Sequence, residues 1–190
     1  MNPRLGEVVS SLFLAVILTV AAISDVRSRK IPNRLTLSAM GAGIIYHICL
    51  SGWRGGLFSL AGAIAGLGLL FGFYLLGGMG AGDVKLMGAV GSFLGPKGVV
   101  GAFVATGLVG GIYAAIILVF QGKVRDIGSR FWARLKAFGA MAKTFFYTGQ
   151  LVYLPAAKEE KRPRLYYGLA IALGTLVVIL TRVLAVFTIE

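Results

Sequence analysis

The sequence predicts an all-α, polytopic membrane protein formed by one domain over residues 1–190. Of its 190 residues, 57% are hydrophobic and only 14% are charged, and the mean hydropathy is +0.86. A soluble domain carries roughly 25% charged residues, so this chain has too few charges to cover its apolar surface in water. Several apolar stretches also approach the ~20 residues that a helix needs to cross a bilayer.

Six stretches are predicted to span the membrane, at residues 8–24, 35–50, 57–78, 86–94, 98–120 and 165–188. The first has neither a basic start nor a small-residue cleavage site, so we interpret it as an uncleaved span. The fourth is short, and it crosses only if its helix begins near Asp83 or if the bilayer thins there. Within spans, glycines spaced by four predict close helix contacts: Gly62 with Gly66, Gly68 with Gly72, and Gly107 with Gly111.

The segment 121–164 is basic and is expected to form a cytoplasmic amphipathic helix on the membrane surface. Its apolar residues recur at helical spacing, with lysines and arginines at the borders of that face. A solvated basic loop that only fixes the topology is the alternative.

The charge balance predicts an orientation. The chain has 19 basic and seven acidic residues, a net charge of +12. With six spans and the N-terminus outside, 15 of the basic residues lie in inward loops and four lie outside. Because basic residues collect on the cytoplasmic side and meet anionic lipid there, we expect both termini outside and no nucleic-acid partner.

Only two of the seven acidic residues lie next to the predicted spans. Asp25 closes the first span and Asp83 opens the fourth, so both are expected at the cytoplasmic membrane face. A charge at the centre of a spanning helix costs about 2.5–3.5 kcal/mol on insertion scales, and less near the interface. Acidic residues at this depth are therefore candidates for function.

Two neighbouring carboxyls would share a proton, since like charges resist double ionisation. One could then take a proton from water while the other gives a proton to a carbonyl, which is the requirement for acid–base hydrolysis. The pair would titrate as a unit, so neither role is assigned to one residue. The simpler alternatives are a helix-capping role for Asp83 and an ion pair between Asp25 and a nearby arginine.

The residues that flank the two aspartates are compatible with peptide binding. Gly80 and Gly82 leave the backbone bare beside Asp83, which permits close approach of an extended substrate. Lys85 could hold charge at the site, although a lipid or topology role is favoured for it. Pro32 and Asn33 form a rigid turn before the second span, with proline at the entry and asparagine as a cap.

The order of these motifs resembles that of the type IV prepilin peptidase family, which are GxGD aspartic proteases of the membrane. The residues concerned are Asp25, then Ile31-Pro-Asn33, then Gly80-Ala-Gly-Asp83-Val-Lys85, with a weaker echo at 166–174. The resemblance implies cleavage of prepilin or pseudopilin leaders at the cytoplasmic face of the inner membrane. It places the two catalytic aspartates at Asp25 and Asp83 and the motif glycines at Gly80 and Gly82.

The same resemblance implies a short, peptidase-only form. Larger members carry a domain with paired CxxC motifs and also N-methylate the new N-terminus. The sequence has a single cysteine, Cys49, so it looks like the short form of tight-adherence (Flp) pilus systems, for which methylation is not expected.

Other chemistries are less well supported by the sequence. One histidine and one cysteine are too few for a zinc protease, and His47 and Cys49 are two apart on a helix and do not face each other. We therefore expect hydrolysis without metal or organic cofactor. The rival functions are a small proton-coupled transporter and a secretion-system scaffold, in which the aspartates would be relay or structural groups.

Overall fold

The described part of the chain is entirely helical. The computed structural model describes residues 3–75, 78–120, 136 and 167–188, and these ranges contain no strand. The helices are α1 (Pro3–Ser28), α2 (Asn33–Leu75), α3 (Ala81–Phe120) and α4 (Tyr167–Thr188). Each contains a stretch long and apolar enough to cross a membrane. The prediction of an all-α membrane protein is confirmed, while the amphipathic helix predicted at 121–164 lies, apart from Lys136, outside the described residues.

The predicted six spans correspond to four helices, two of which contain a break. In α2 the break lies at Ser51 and Gly52, and in α3 it lies at Gly95. Both glycines have positive φ, 59° and 71°, a conformation that strongly favours glycine. The breaks fall where the sequence predicts turns between spans. The count of six spans remains a prediction, and the structure supports the coarser statement of four apolar helices.

Contacts across the breaks show how the helices pack. Gly55 lies against the backbone carbonyl of His47, so the two halves of α2 fold back on each other. Further along, Gly62 lies against the backbone of Gly91, and Gly66 lies against the carbonyl of Met87. As the residue number rises along α2, the residue number of its partner in α3 falls, so these two segments are antiparallel.

The glycine pairs spaced by four differ in their roles. A methyl group added at Gly62 or Gly66 would collide with the backbone of α3, so this pair does allow the close approach predicted for it. A methyl added at Gly68, Gly72, Gly107 or Gly111 would meet nothing within 4 Å among the described residues. For these two pairs the predicted contact is therefore wrong within the described part of the chain.

Helix α4 closes the bundle against α1 and α3. Gly174 of α4 lies against the backbone of Thr106 in α3. Fully buried side chains fill the interior, including Leu14, Leu18, Leu86 and Ile171. Equally apolar side chains on the outer faces stay exposed, as expected for surfaces that meet lipid: Leu12, Val16, Ile64, Leu108 and Leu180.

Candidate active site

Asp25 lies in the last turn of α1 and is held by the first turn of α4. Its side chain is 9% exposed. The backbone N–H of Gly168 donates a hydrogen bond of 2.9 Å to its Oδ2, and the N–H of Leu169 also interacts with the carboxylate. The free N–H groups and the dipole at the start of a helix favour a negative charge. The N-terminus of α4 therefore stabilises the Asp25 carboxylate, which lies at the C-terminus of α1, where the dipole of that helix disfavours a negative charge.

Asp83 lies in the first turn of α3 and is 8% exposed. Its Oδ2 accepts a hydrogen bond of 3.0 Å from the N–H of Gly80, and its own N–H donates to the Gly80 carbonyl at 3.1 Å. This reciprocal pair is a capping arrangement of the kind that stabilises helix starts. Asp83 therefore has the helix-capping role that the sequence analysis gave as an alternative, and this role holds its carboxyl at the N-terminus of α3.

The structure brings Asp25 and Asp83 together at the same end of the bundle. Asp25 is near enough to Asp83 to contribute to its electrostatic environment, although 58 positions separate them in the sequence. Ile31, which is buried, stands beside both. A methyl at Gly82 would lie 3.2 Å from Ile31 Cβ, and a methyl at Gly168 would lie 2.9 Å from Ile31 Cδ1. Ile31 therefore packs between the backbone that precedes Asp83 and the backbone that holds Asp25.

The other residues predicted for the site lie around this pair. Pro32 is exposed, and its carbonyl accepts from the N–H groups of Leu35 and Thr36 at the start of α2. Asn33 does not act through its side chain as the predicted cap, because its Oδ1 accepts a hydrogen bond of 2.9 Å from Lys85 Nζ. This bond links the start of α2 to α3 at a position two residues after Asp83.

The two glycines of the motif serve different purposes. Gly80 provides the N–H that binds Asp83, and a methyl group there would be in ordinary contact at 3.4 Å from Asp83 Oδ2. Gly82 instead leaves room for Ile31. Gly80 is exposed and Gly82 is partly exposed, so the backbone beside Asp83 can be reached from outside the bundle.

This arrangement can support acid–base chemistry on a bound peptide. Each carboxyl has its Oδ2 held by a backbone N–H, that of Gly168 in the first turn of α4 for Asp25 and that of Gly80 just before α3 for Asp83, and such fixed backbone donors are preorganised. Among the residues that the structure describes, no group of three or more histidine, cysteine, aspartate or glutamate side chains is placed to hold a metal ion.

Two residues of the site were not singled out by the sequence. Gly168 approaches Asp25 across 143 positions, and its only signal was the weak family echo at 166–174. Ile31 belongs to the Ile31-Pro-Asn33 motif, and its apolar side chain beside a proline is the one signal that could have indicated a buried position. Neither contact follows from local periodicity, because Gly168 and Ile31 meet the site only through the packing of α3 and α4.

Sequence comparisons with known proteins identify the family of this chain. The model of the type IV leader peptidase family matches residues 12–115, a range that includes both aspartates. The chain is 30% identical over 159 residues to a prepilin leader peptidase/N-methyltransferase of Xanthomonas campestris pv. campestris, covering 77% of this chain and 51% of that protein.

A protein of the same name from Bacillus subtilis is 32% identical over 112 residues, covering 55% of this chain and 44% of that protein. The chain thus spans about half the length of the curated relatives it matches. No solved structure matches it. Since the family model covers more than half of the chain, this protein belongs to the type IV leader peptidase family.

Proposed function

We propose that this protein is a membrane aspartic endopeptidase that removes the leader peptide from type IV prepilins or pseudopilins. The observation that carries the proposal is the meeting of two buried carboxyls, Asp25 and Asp83, at one end of a helical bundle whose family is that of leader peptidases. Each carboxyl also binds the backbone at a helix start, and acid–base hydrolysis is the role that would use the two carboxyls together.

The proposed reaction is direct hydrolysis by the aspartate pair without metal or organic cofactor. One carboxylate takes a proton from water, whose oxygen attacks the scissile carbonyl carbon, while the other carboxyl gives its proton to the carbonyl oxygen. The tetrahedral intermediate then collapses. Its hydroxyl proton returns to the second carboxyl, and the proton held by the first carboxyl goes to the leaving amine. Because the two groups titrate as a unit, neither role is fixed to one residue.

The substrate segment is proposed to lie extended beside Gly80 and Gly82. Both glycines are accessible. The absence of a side chain at Gly80 permits the close backbone approach that an extended peptide requires, while the side of Gly82 that a Cβ would occupy faces Ile31. Pro32, Asn33 and Lys85 would border this segment, with the Lys85–Asn33 hydrogen bond closing one side. The positive Lys85 would also be available to an anionic lipid phosphate.

The proposed location is the inner membrane, with six spans, both termini outside and the aspartates at the cytoplasmic face. The support is the distribution of basic residues, which flank the aspartate end: Arg27, Arg29, Lys30, Arg34 and Lys85. The breaks in α2 and α3 are the places where the chain would turn between the second and third spans and between the fourth and fifth.

The test is cleavage of a purified prepilin by the protein and its variants in detergent micelles. Asp25→Asn and Asp83→Asn are expected to lower kcat/KM by about 10²–10⁴-fold each, the usual contribution of an acid–base group. Glu7→Gln, which removes a carboxyl at the other end of α1, is the matched control and should cleave normally.

Two results would contradict the proposal. Normal cleavage by either aspartate variant would favour a relay or scaffold role for that residue. Loss of wild-type cleavage on chelation with EDTA, restored by added divalent metal, would contradict the metal-free reaction.

A further inference from the structure

A small polar cavity lies at the end of the bundle opposite the aspartates. All four helices line it, and its volume is about 90 Å³. Its polar lining residues are Glu7, Ser10 and Ser11 of α1, His47 of α2 and Arg182 of α4. Glu7 precedes Asp25 along α1 by about 27 Å at 1.5 Å per residue. This nearly equals the ~30 Å hydrocarbon thickness of a bilayer, so the cavity lies at the level of the opposite headgroups.

The polar groups of this cavity do not satisfy one another. Ser11 is 6% exposed, and its hydroxyl has no hydrogen bond within the described ranges. The neighbouring Ser10 hydroxyl, by contrast, donates to the Glu7 carbonyl. Glu7 and Arg182 line the same space without an ion pair between them in the described structure. His47 Nε2 lies 3.0 Å from the Phe93 carbonyl oxygen, so His47 has a partner. The side chains of Glu7, Ser11 and Arg182 are the groups that could bind a ligand.

We propose that this cavity binds the headgroup of a phospholipid that carries both a phosphate and a primary ammonium. Arg182 would bind the phosphate, since guanidinium and phosphate form strong paired hydrogen bonds. Glu7 would accept hydrogen bonds from the ammonium, and the Ser11 hydroxyl would complete the contacts. The volume of about 90 Å³ is enough for part of a headgroup.

The charges of the cavity favour this class over other lipids. A headgroup with net negative charge would place its excess charge near Glu7, and the two like charges would repel each other. A choline headgroup has no N–H to donate to Glu7. The acyl chains also have a surface to follow, because large apolar side chains beside the cavity are exposed on both flanking helices: Leu12 and Phe13 on α1, and Leu180 and Leu184 on α4.

The experiment measures lipid retention by native mass spectrometry of the full chain. The purified protein is mixed with phosphatidylethanolamine, phosphatidylglycerol or phosphatidylcholine of identical acyl chains. We expect one phosphatidylethanolamine per chain to be retained about tenfold more than either other lipid. Arg182→Gln and Glu7→Gln should each lower that retention about tenfold, because each removes a charge-assisted contact.

Lys97→Gln is the matched control. Lys97 is an exposed cation at the same end of the bundle that does not line the cavity, and its removal should leave retention unchanged. Thermal unfolding in lipid-free detergent identifies any variant that fails to fold, and Ser11→Ala, a milder change, should then show a smaller loss.

Three outcomes would overturn the proposal: equal retention of the three lipids by the unaltered chain, unchanged retention by folded Arg182→Gln, or an equal loss in Lys97→Gln. Binding of soluble O-phosphoethanolamine without retention of the lipid would assign the cavity to a free small molecule and would also overturn it. Since prepilin cleavage is not a readout, failure here leaves the proposed peptidase function unaffected.

Discussion

Substitution of Gly168 by alanine tests how the start of α4 controls the aspartate pair. The new methyl group would lie 2.8 Å from Asp25 Oδ2 and 2.9 Å from Ile31 Cδ1. A carbon and an oxygen in contact prefer about 3.3–3.6 Å, so the carboxylate or the helix must move by roughly half an ångström or more. The hydrogen bond from the residue 168 N–H, now 2.9 Å, would lengthen as a result.

The expected loss of activity in Gly168→Ala follows from the weakening of that hydrogen bond. A hydrogen bond to a charged group contributes about 1.5–3 kcal/mol, and a misplacement of about 1 Å at a reacting group can cost roughly 100-fold in rate. We therefore expect kcat for prepilin cleavage to fall about 10–100-fold, with KM little changed, because the backbone at Gly80, which is proposed to contact the substrate, is not altered.

The assay is steady-state cleavage of a prepilin, with Gly101→Ala as the control. Gly101 is also helical but has open space around it, so its substitution should leave kcat unchanged and raise stability slightly through helix propensity. Adding Ile31→Val to Gly168→Ala removes the Cδ1 atom that the methyl meets, and it should recover part of the lost rate. Cleavage by Gly168→Ala within twofold of the unaltered protein would refute the positioning role.

Two further predictions concern packing and the Lys85–Asn33 hydrogen bond. Gly66→Ala places a methyl against the Met87 carbonyl and should destabilise the bundle by about 1–3 kcal/mol. In the control Gly68→Ala the methyl meets open space. Equal thermal unfolding temperatures for the two variants would contradict the packing described. Lys85→Met and Asn33→Ala each remove one partner of the same bond, so their effects on kcat/KM should be non-additive by at least about 0.5 kcal/mol; a purely additive double variant would mean that the bond does not act in cleavage.

The helices and the position of the site could be predicted because they depend on local properties. Hydropathy alone identified the long apolar helices, and glycine and proline marked the breaks at Gly52 and Gly95. The order of Asp25 and Asp83 relative to these segments placed both at one end. These predictions require only that a membrane-spanning helix has about 20 residues and that successive spans run in opposite directions.

Contacts between distant segments could not be predicted in this way. The sequence offered three glycine pairs of identical spacing, yet only Gly62 and Gly66 meet a neighbouring backbone among the described residues. Asn33 has the properties of a helix cap, but Lys85 from α3 takes its side chain instead. In both cases tertiary packing determines which of several locally equivalent roles a residue takes.

The proposed peptidase function requires Asp25 and Asp83 to share one site, and crosslinking measures this. In a Cys49→Ala background, Asp25→Cys and Asp83→Cys are combined and treated with a short bifunctional thiol reagent, and the linked peptides are identified by mass spectrometry. We predict efficient intrachain crosslinking of positions 25 and 83, and none between positions 25 and 97 in the corresponding Lys97→Cys control. Single labelling of both cysteines at 25 and 83 without a crosslink between them would contradict it.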